Sequence, residues 1–160
     1  MCSSDLEKGL SYESIAVDLG NKPPEFLALG PIAKVPVLVD GSVVVFDSTV
    51  IAEYLEDRYP EVAMYGHGWE EKLVSRRWEE VGDSLADTTI KAFFSKDTGE
   101  VAKAEAMAGR LLAHIEAHLQ ELPAQFGVAQ ASLIAALGYR SLRLGEGWRK
   151  EAPMLAEKVD

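Results

Sequence analysis

One cysteine, Cys2, stands among 160 residues, so no disulfide can close within the chain and no cysteine-based zinc cluster can be assembled. Basic side chains are scarce as well: 16 Lys and Arg face 26 Asp and Glu, a formal charge of −10. That balance argues against a partner held through counterion release, whether nucleic acid or an anionic membrane. No apolar run approaches the roughly 20 residues a membrane-spanning helix needs, and no charged-then-apolar leader opens the sequence. The expected setting is cytoplasmic. The three histidines, His67, His114 and His118, offer no metal constellation. His114 and His118 share one helix face at a spacing of four, without a third ligand, so no metal is expected.

What is present changes character once. Up to Pro60 the sequence is punctuated by Val, Ile, Pro and Gly; beyond it Ala, Leu and Glu recur with helical period. Two small domains are expected, spanning 1–60 and 69–160. Ser14–Leu19 alternates weakly and reads as a short strand, and Glu25–Leu29 as a short helix. Val35–Val39, Asp40-Gly41 and Val43–Phe46 read as strand, two-residue turn and strand. Asp47-Ser48-Thr49 supplies N-cap side chains to a helix with apolar positions Val50, Ile51, Tyr54 and Leu55, ending before Pro60. Three longer helices follow, from Trp69 to about Phe94, Glu100 to about Leu122, and Val128 to about Leu144. Leu73, Arg77, Val81, Leu85 and Thr88 or Thr89 form one stripe, and Met107, Leu111, Leu112, Ile115 and Leu119 another; both are read as core. Lys72, Arg76 and Arg77, set among Glu70, Glu71, Glu79 and Glu80, read as a salt-bridged, solvated helix face.

The order Glu7-Lys8-Gly9-Leu10, Lys34-Val35-Pro36-Val37-Leu38, Phe46-Asp47-Ser48 and Ile51-Ala52-Glu53-Tyr54-Leu55 resembles the first domain of a bacterial, cytosolic-type glutathione transferase. No single piece is specific; their order and spacing, with an all-helical half behind them, carry the resemblance. Ala135-Ala136-Leu137-Gly138-Tyr139, then Trp148-Arg149 and Pro153, resembles the sixth helix and following turn of bacterial members. Gly127 and Gln130 depart from that helix's usual Ser/Thr cap and third-position Asp. Gly is a tolerable cap, and Gln can still close back on it.

The resemblance implies an α+β thioredoxin-like domain followed by an all-helical domain, with glutathione as co-substrate and a small hydrophobic electrophile as the second reactant. A homodimer is implied too. The bond before Pro36 would be cis, so that the backbone of Val35 pairs with the cysteinyl part of glutathione. Asp47 and Ser48 would hold the γ-glutamyl end, although Asp-Ser ahead of an apolar helix is also a plain N-cap. Lys34 could reach the glycyl carboxylate as a point charge. Trp78, Phe93 and Phe94 are candidates for the electrophile surface and equally for core.

A thiol-activating Ser, Tyr or Cys belongs at the turn between the family's first strand and first helix, and no residue here takes that place. Cys2, Ser3 and Ser4 lie too close to Gly9. The chain is therefore expected to be truncated, lacking the domain's first strand and stopping short of the usual C-terminus, with Met1–Leu6 read as a translated sequencing adapter. As a fragment it is expected to be inactive and to fold poorly, because the Ser14–Leu19 strand would lack a partner. Two function classes stay open: an enzyme that conjugates or reduces electrophiles with glutathione, and a non-catalytic interaction module of the same fold. A thioredoxin-type oxidoreductase would need a Cys-x-x-Cys that is not there.

Overall fold

Valines at alternate positions and a glycine at a tight turn produce a hairpin in the first third of the chain. In the computed structural model, which describes residues 8–159, β1 (Val37–Asp40) and β2 (Val43–Phe46) pair antiparallel, Val37 opposite Phe46 and Asp40 opposite Val43. The turn is Gly41-Ser42, one residue later than Asp40-Gly41. Gly41 sits at φ 59°, the positive value that the first central position of a II′-type turn requires and that a residue without Cβ supplies at no cost. Asp40 stays in the strand, where its carboxylate accepts from the Tyr54 hydroxyl at 2.8 Å and the Tyr59 hydroxyl at 3.2 Å. That acceptor also raises the Tyr54 phenol above its ordinary pKa, burial adding to the effect. The hairpin is thereby tied to the helix that follows it.

The chain divides into two units, Met1–Met64 and Tyr65–Asp160. In unit 1, a short helix α1 (Pro24–Leu27) precedes the hairpin and α2 (Ser48–Arg58) follows it. Val45, Ile51 and Leu55 form a small core, with Leu10, Leu38, Tyr54 and Tyr59 packed around it. Lys8 fastens the far end of α2. Its ammonium, with a side chain only 1% exposed, donates to Glu56 Oε2 at 2.8 Å and to the carbonyls of Tyr59 and Val62. Val50, counted among the apolar positions of this helix, is exposed.

Ser14–Leu19 is not a strand. Among the described residues the sheet has two strands only, and Ile15 is 76% exposed. An extended segment becomes a strand by exchanging backbone hydrogen bonds with a neighbour, and no described segment lies in that position.

Unit 2 is helical: α3 (Gly68–Phe94), α4 (Thr98–His118) running into a 3₁₀ turn (Leu119–Glu121), α5 (Val128–Leu144), α6 (Trp148–Glu151) and α7 (Pro153–Val159). Its core joins Trp78 and Leu85 of α3, Ala108, Leu112 and Ile115 of α4, Ala129, Leu133, Ala136 and Leu137 of α5, and Trp148, Leu155 and Ala156. The helix starts follow local chemistry. Asp97 Oδ1 accepts from the N–H groups of Gly99 and Glu100, and the Gly127 N–H donates to Gln130 Oε1 at 3.0 Å, so Gln130 does close back on a cap that has no side chain of its own. A remote residue starts α7: Glu116 on α4 accepts from the N–H groups of Met154 and Leu155 at 2.8 and 2.9 Å.

The inward face of α3 differs from the expected stripe. Ser75, Trp78, Glu79, Gly82, Leu85 and Thr89 are buried, while Leu73 and Arg77 are exposed. Gly82 decides this. A Cβ there would lie 2.2 Å from Ser132 Oγ and 2.8 Å from the Ser132 backbone carbon, so α3 and α5 touch almost backbone to backbone, and the stripe containing Gly82 must be the inner one. Met107 of α4, likewise expected inside, is half-exposed, and the small Ala104 and Ala108 are buried in its stead.

Candidate functional site

The residues singled out in unit 1 gather at one end of the hairpin. The peptide bond between Val35 and Pro36 is cis. The last ladder pair is Val37 with Phe46, with Val35-Pro36 immediately before β1 and Asp47-Ser48 immediately after β2. Both segments leave the hairpin at the same end. Val35 is 48% exposed, and among the described residues neither its N–H nor its C=O has a backbone partner.

Asp47 adopts φ 76° and ψ 130°, a region that residues with a Cβ enter rarely and at a cost of about 1–3 kcal/mol. Its carboxylate spans the start of α2, Oδ1 accepting from Thr49 N at 3.1 Å and from Val50 N at 3.4 Å. Ser48, the first residue of α2, is exposed, and among the described residues its hydroxyl and N–H have no hydrogen-bond partner. Since the Asp47 side chain already serves the next two N–H groups, the Ser48 N–H and hydroxyl remain open to a ligand at a helix start, where partial positive charge gathers. Lys34 is exposed and unpaired among the described residues. Ahead of it Ala33 is held at φ 51°, a second strained position within three residues of the cis bond.

Such a set can do two things chemically. An open N–H and C=O on one residue can receive an extended peptide in antiparallel fashion, as the edge of a sheet does. A serine hydroxyl and free N–H at a helix N-terminus can receive a carboxylate. Sequence reasoning missed the positive φ at Asp47 and Ala33, for which the residue types gave no signal.

The other candidates fall elsewhere. Cys2, Ser3, Ser4 and Glu7 lie outside the described residues. Trp78 is buried in unit 2. Phe93 and Phe94 are exposed at the end of α3, 62% in the case of Phe94, their rings meeting edge to face at 4.8 Å, and the Arg143 guanidinium lies 5.1 Å from the Phe93 ring. No group of three or more metal-ligating side chains occurs among the described residues.

The expected solvated charge cluster on α3 is only partly that. Glu79 is buried and takes the Arg76 guanidinium at 3.0 Å and the Tyr65 hydroxyl at 3.2 Å, with the guanidinium 4.6 Å from the Tyr65 ring. Burial pushes the Glu79 carboxyl above its ordinary pKa, more than Arg76 and Tyr65 bring it down.

Three comparisons bear on this geometry. The family model for the glutathione S-transferase N-terminal domain matches residues 6–63. Glutathione S-transferase F10 of Arabidopsis thaliana is 37% identical over 81 residues, which is 48% of this chain and 38% of that protein. The chain spans less than half the length of the curated relatives it matches. Among solved structures, a glutathione S-transferase from Methylobacterium radiotolerans in complex with glutathione sulfonate aligns with a TM-score of 0.89 at 24% identity, covering 98% of this chain and 80% of that one. A glutathione S-transferase from Methylobacillus flagellatus with glutathione bound aligns at 0.87 and 25% identity, covering 98% and 84%. The fold is thus a thioredoxin-type first domain followed by a helical one, the architecture of these neighbours.

Proposed function

We propose, for a chain that belongs to the glutathione transferase family, that unit 1 is a glutathione-binding domain whose half-site is Lys34, Val35, Pro36, Asp47 and Ser48. In this reading the open N–H and C=O of Val35 pair with the cysteinyl residue of the tripeptide, the cis Val35–Pro36 bond setting their direction. The Ser48 hydroxyl and N–H take the γ-glutamyl carboxylate, the free Asp47 oxygen meets its ammonium, and Lys34 faces the glycyl carboxylate. The observation that carries it is the convergence, at one end of the hairpin, of an unpaired peptide edge and an unpaired helix start.

The whole protein would be a cytoplasmic homodimer that conjugates or reduces small apolar electrophiles with glutathione. The exposed Phe93–Phe94 pair is a candidate for contact with that second reactant. The thiol-activating group is assigned to no described residue, so this chain is proposed to bind glutathione without turning it over.

Isothermal titration with glutathione tests the half-site. Saturable binding is expected, weakened in Ser48→Ala by about 1.5–3 kcal/mol, the worth of a hydrogen bond to a charged group. Incubation with glutathione and an aryl chloride should give no conjugate above the uncatalysed rate. If the chain bound no glutathione, or Ser48→Ala bound it unchanged, the half-site would be structural only. The interaction-module reading would then take its place.

A further inference from the structure

We propose that the outer edge of β1 is a self-association surface: it pairs antiparallel with the same strand of a second copy of this chain, joining two hairpins into one continuous sheet. The turn decides which backbone groups lie on that edge. In a II′-type turn the C=O of the first residue accepts from the N–H of the fourth, so Asp40 bonds across to Val43, the residue its register places opposite. Bonded and non-bonded pairs alternate along an antiparallel ladder. Leu38 therefore turns its backbone toward β2 as Asp40 does, and the N–H and C=O of Val37 and Val39 point away from β2.

No described segment pairs with that edge. Among the described residues the sheet has two strands, and Val39 is 53% exposed. Edge strands are commonly blunted by a lysine, a proline, an inward-pointing charge or a bulge. Val37-Leu38-Val39 carries none of these. Pro36 stands just ahead of the strand, on the alternation that faces β2, so both outward donors are intact. The other edge of the hairpin is less open. Val44 is 38% exposed, and the Phe46 ring lies so near Gly30 that a Cβ there would come within 3.0 Å of it.

The edge is complementary to itself, as a twofold contact requires. With the axis at Leu38, Val37 stands opposite the partner's Val39, and the outward N–H and C=O groups of both chains satisfy one another. Leu38 then meets the partner's Leu38 as a close, non-hydrogen-bonded pair, with the valine pairs on the other face. Charge favours the same arrangement. Lys34, exposed and unpaired among the described residues, precedes the strand, and Asp40 ends it. Antiparallel order sets the basic end of each strand beside the acidic end of the other, whereas parallel order would join like ends.

Sedimentation velocity of the full chain over a concentration series tests the proposal, and a monomer–dimer equilibrium is expected. Val39→Pro removes one outward N–H and none of the bonds to β2; Val39→Lys sets an ammonium group on the shared edge of each copy. Each should weaken the dimer by about tenfold or more with a thermal midpoint close to that of the parent chain. Val44→Pro, the matching change on the β2 edge, should leave the dimer as it was. Register is read by cysteine pairing: Cys2→Ser with Leu38→Cys should oxidise to a disulfide-linked dimer, and Cys2→Ser with Val43→Cys should not. A chain monomeric up to about 1 mM, a dimer kept by both Val39 variants, equal loss in Val44→Pro, or no disulfide at residue 38 would overturn the proposal.

Discussion

Unit 1 closes a core of a few side chains, Val45, Ile51 and Leu55, and leaves Val35, Val39, Val43, Val44 and Val50 exposed. Unit 2 gathers residues from every one of its helices into one cluster, several of them wholly out of solvent. The contrast has a physical reading. In unit 1 order comes largely from polar ties at defined points: Lys8 at the end of α2, Asp40 between hairpin and helix, Asp47 at the helix start. In unit 2 it comes from apolar area and from a helix crossing too close to admit a methyl group. A scaffold of the first kind suits a binding edge, because its backbone groups stay open. One of the second kind suits a rigid support.

The largest expected effect that sharpens this comparison is truncation of the core. Leu112→Ala, at a fully buried site, should cost about 3–5 kcal/mol in urea unfolding, and Leu55→Ala about 2–3 kcal/mol because its surroundings can relax. Equal losses would break the distinction between the units.

The helix crossing comes next. Gly82→Ala should cost about 1–3 kcal/mol or more by overpacking against Ser132. The added substitution Ser132→Gly should restore only part, because the backbone carbon of residue 132 still lies 2.8 Å from the new methyl. Full rescue would show that the side chain alone sets the approach.

A pH profile probes the buried charge of unit 2. The Glu79 carboxyl is raised in the folded state above its model-compound value of 4.5. Its contribution to stability is therefore fully present below that value and is lost as pH rises through the folded pKa. Chemical unfolding from pH 4 to 7 should show that decline in the parent chain and a flatter profile in Glu79→Gln. Identical profiles would mean that Arg76 and Tyr65 offset burial completely.

The smallest effect lies at the start of α2. Asp47→Ala should cost about 1 kcal/mol through the lost cap, whereas Asp47→Gly should cost less, since glycine adopts φ 76° without strain. If glycine were as destabilising as alanine, the strain at residue 47 would carry no energy.

How much of this was legible differs between the units in the opposite sense to their cores. The strand-turn-strand order and the helix starts at Asp47 and Gly127 follow from residues close in sequence, because turn chemistry, capping and alternation act over two to four positions. The turn itself was read one residue early, at Asp40-Gly41, the helix capped by Asp97 was read from Glu100, and the grouping of Val35-Pro36 with Asp47-Ser48 came from the family resemblance. The inner face of α3 was misassigned for the opposite reason. Leu73, Arg77 and Val81 obey the helical period as well as Ser75, Trp78, Gly82 and Thr89 do, and only the approach of α5 at Ser132 selects between them.

The sequence by itself determined the two-part organisation of strand-and-turn ahead of helix, the hairpin and the ends of most helices, since these depend on local backbone preference. Tertiary structure alone decided that Glu79 is buried while Arg77 is exposed, that Glu116 caps a helix 38 residues away, and that Ser14–Leu19 is no strand. Each of those depends on which distant group arrives beside a residue, and hydrogen bonding, desolvation and close packing respond to that neighbour whatever the local pattern.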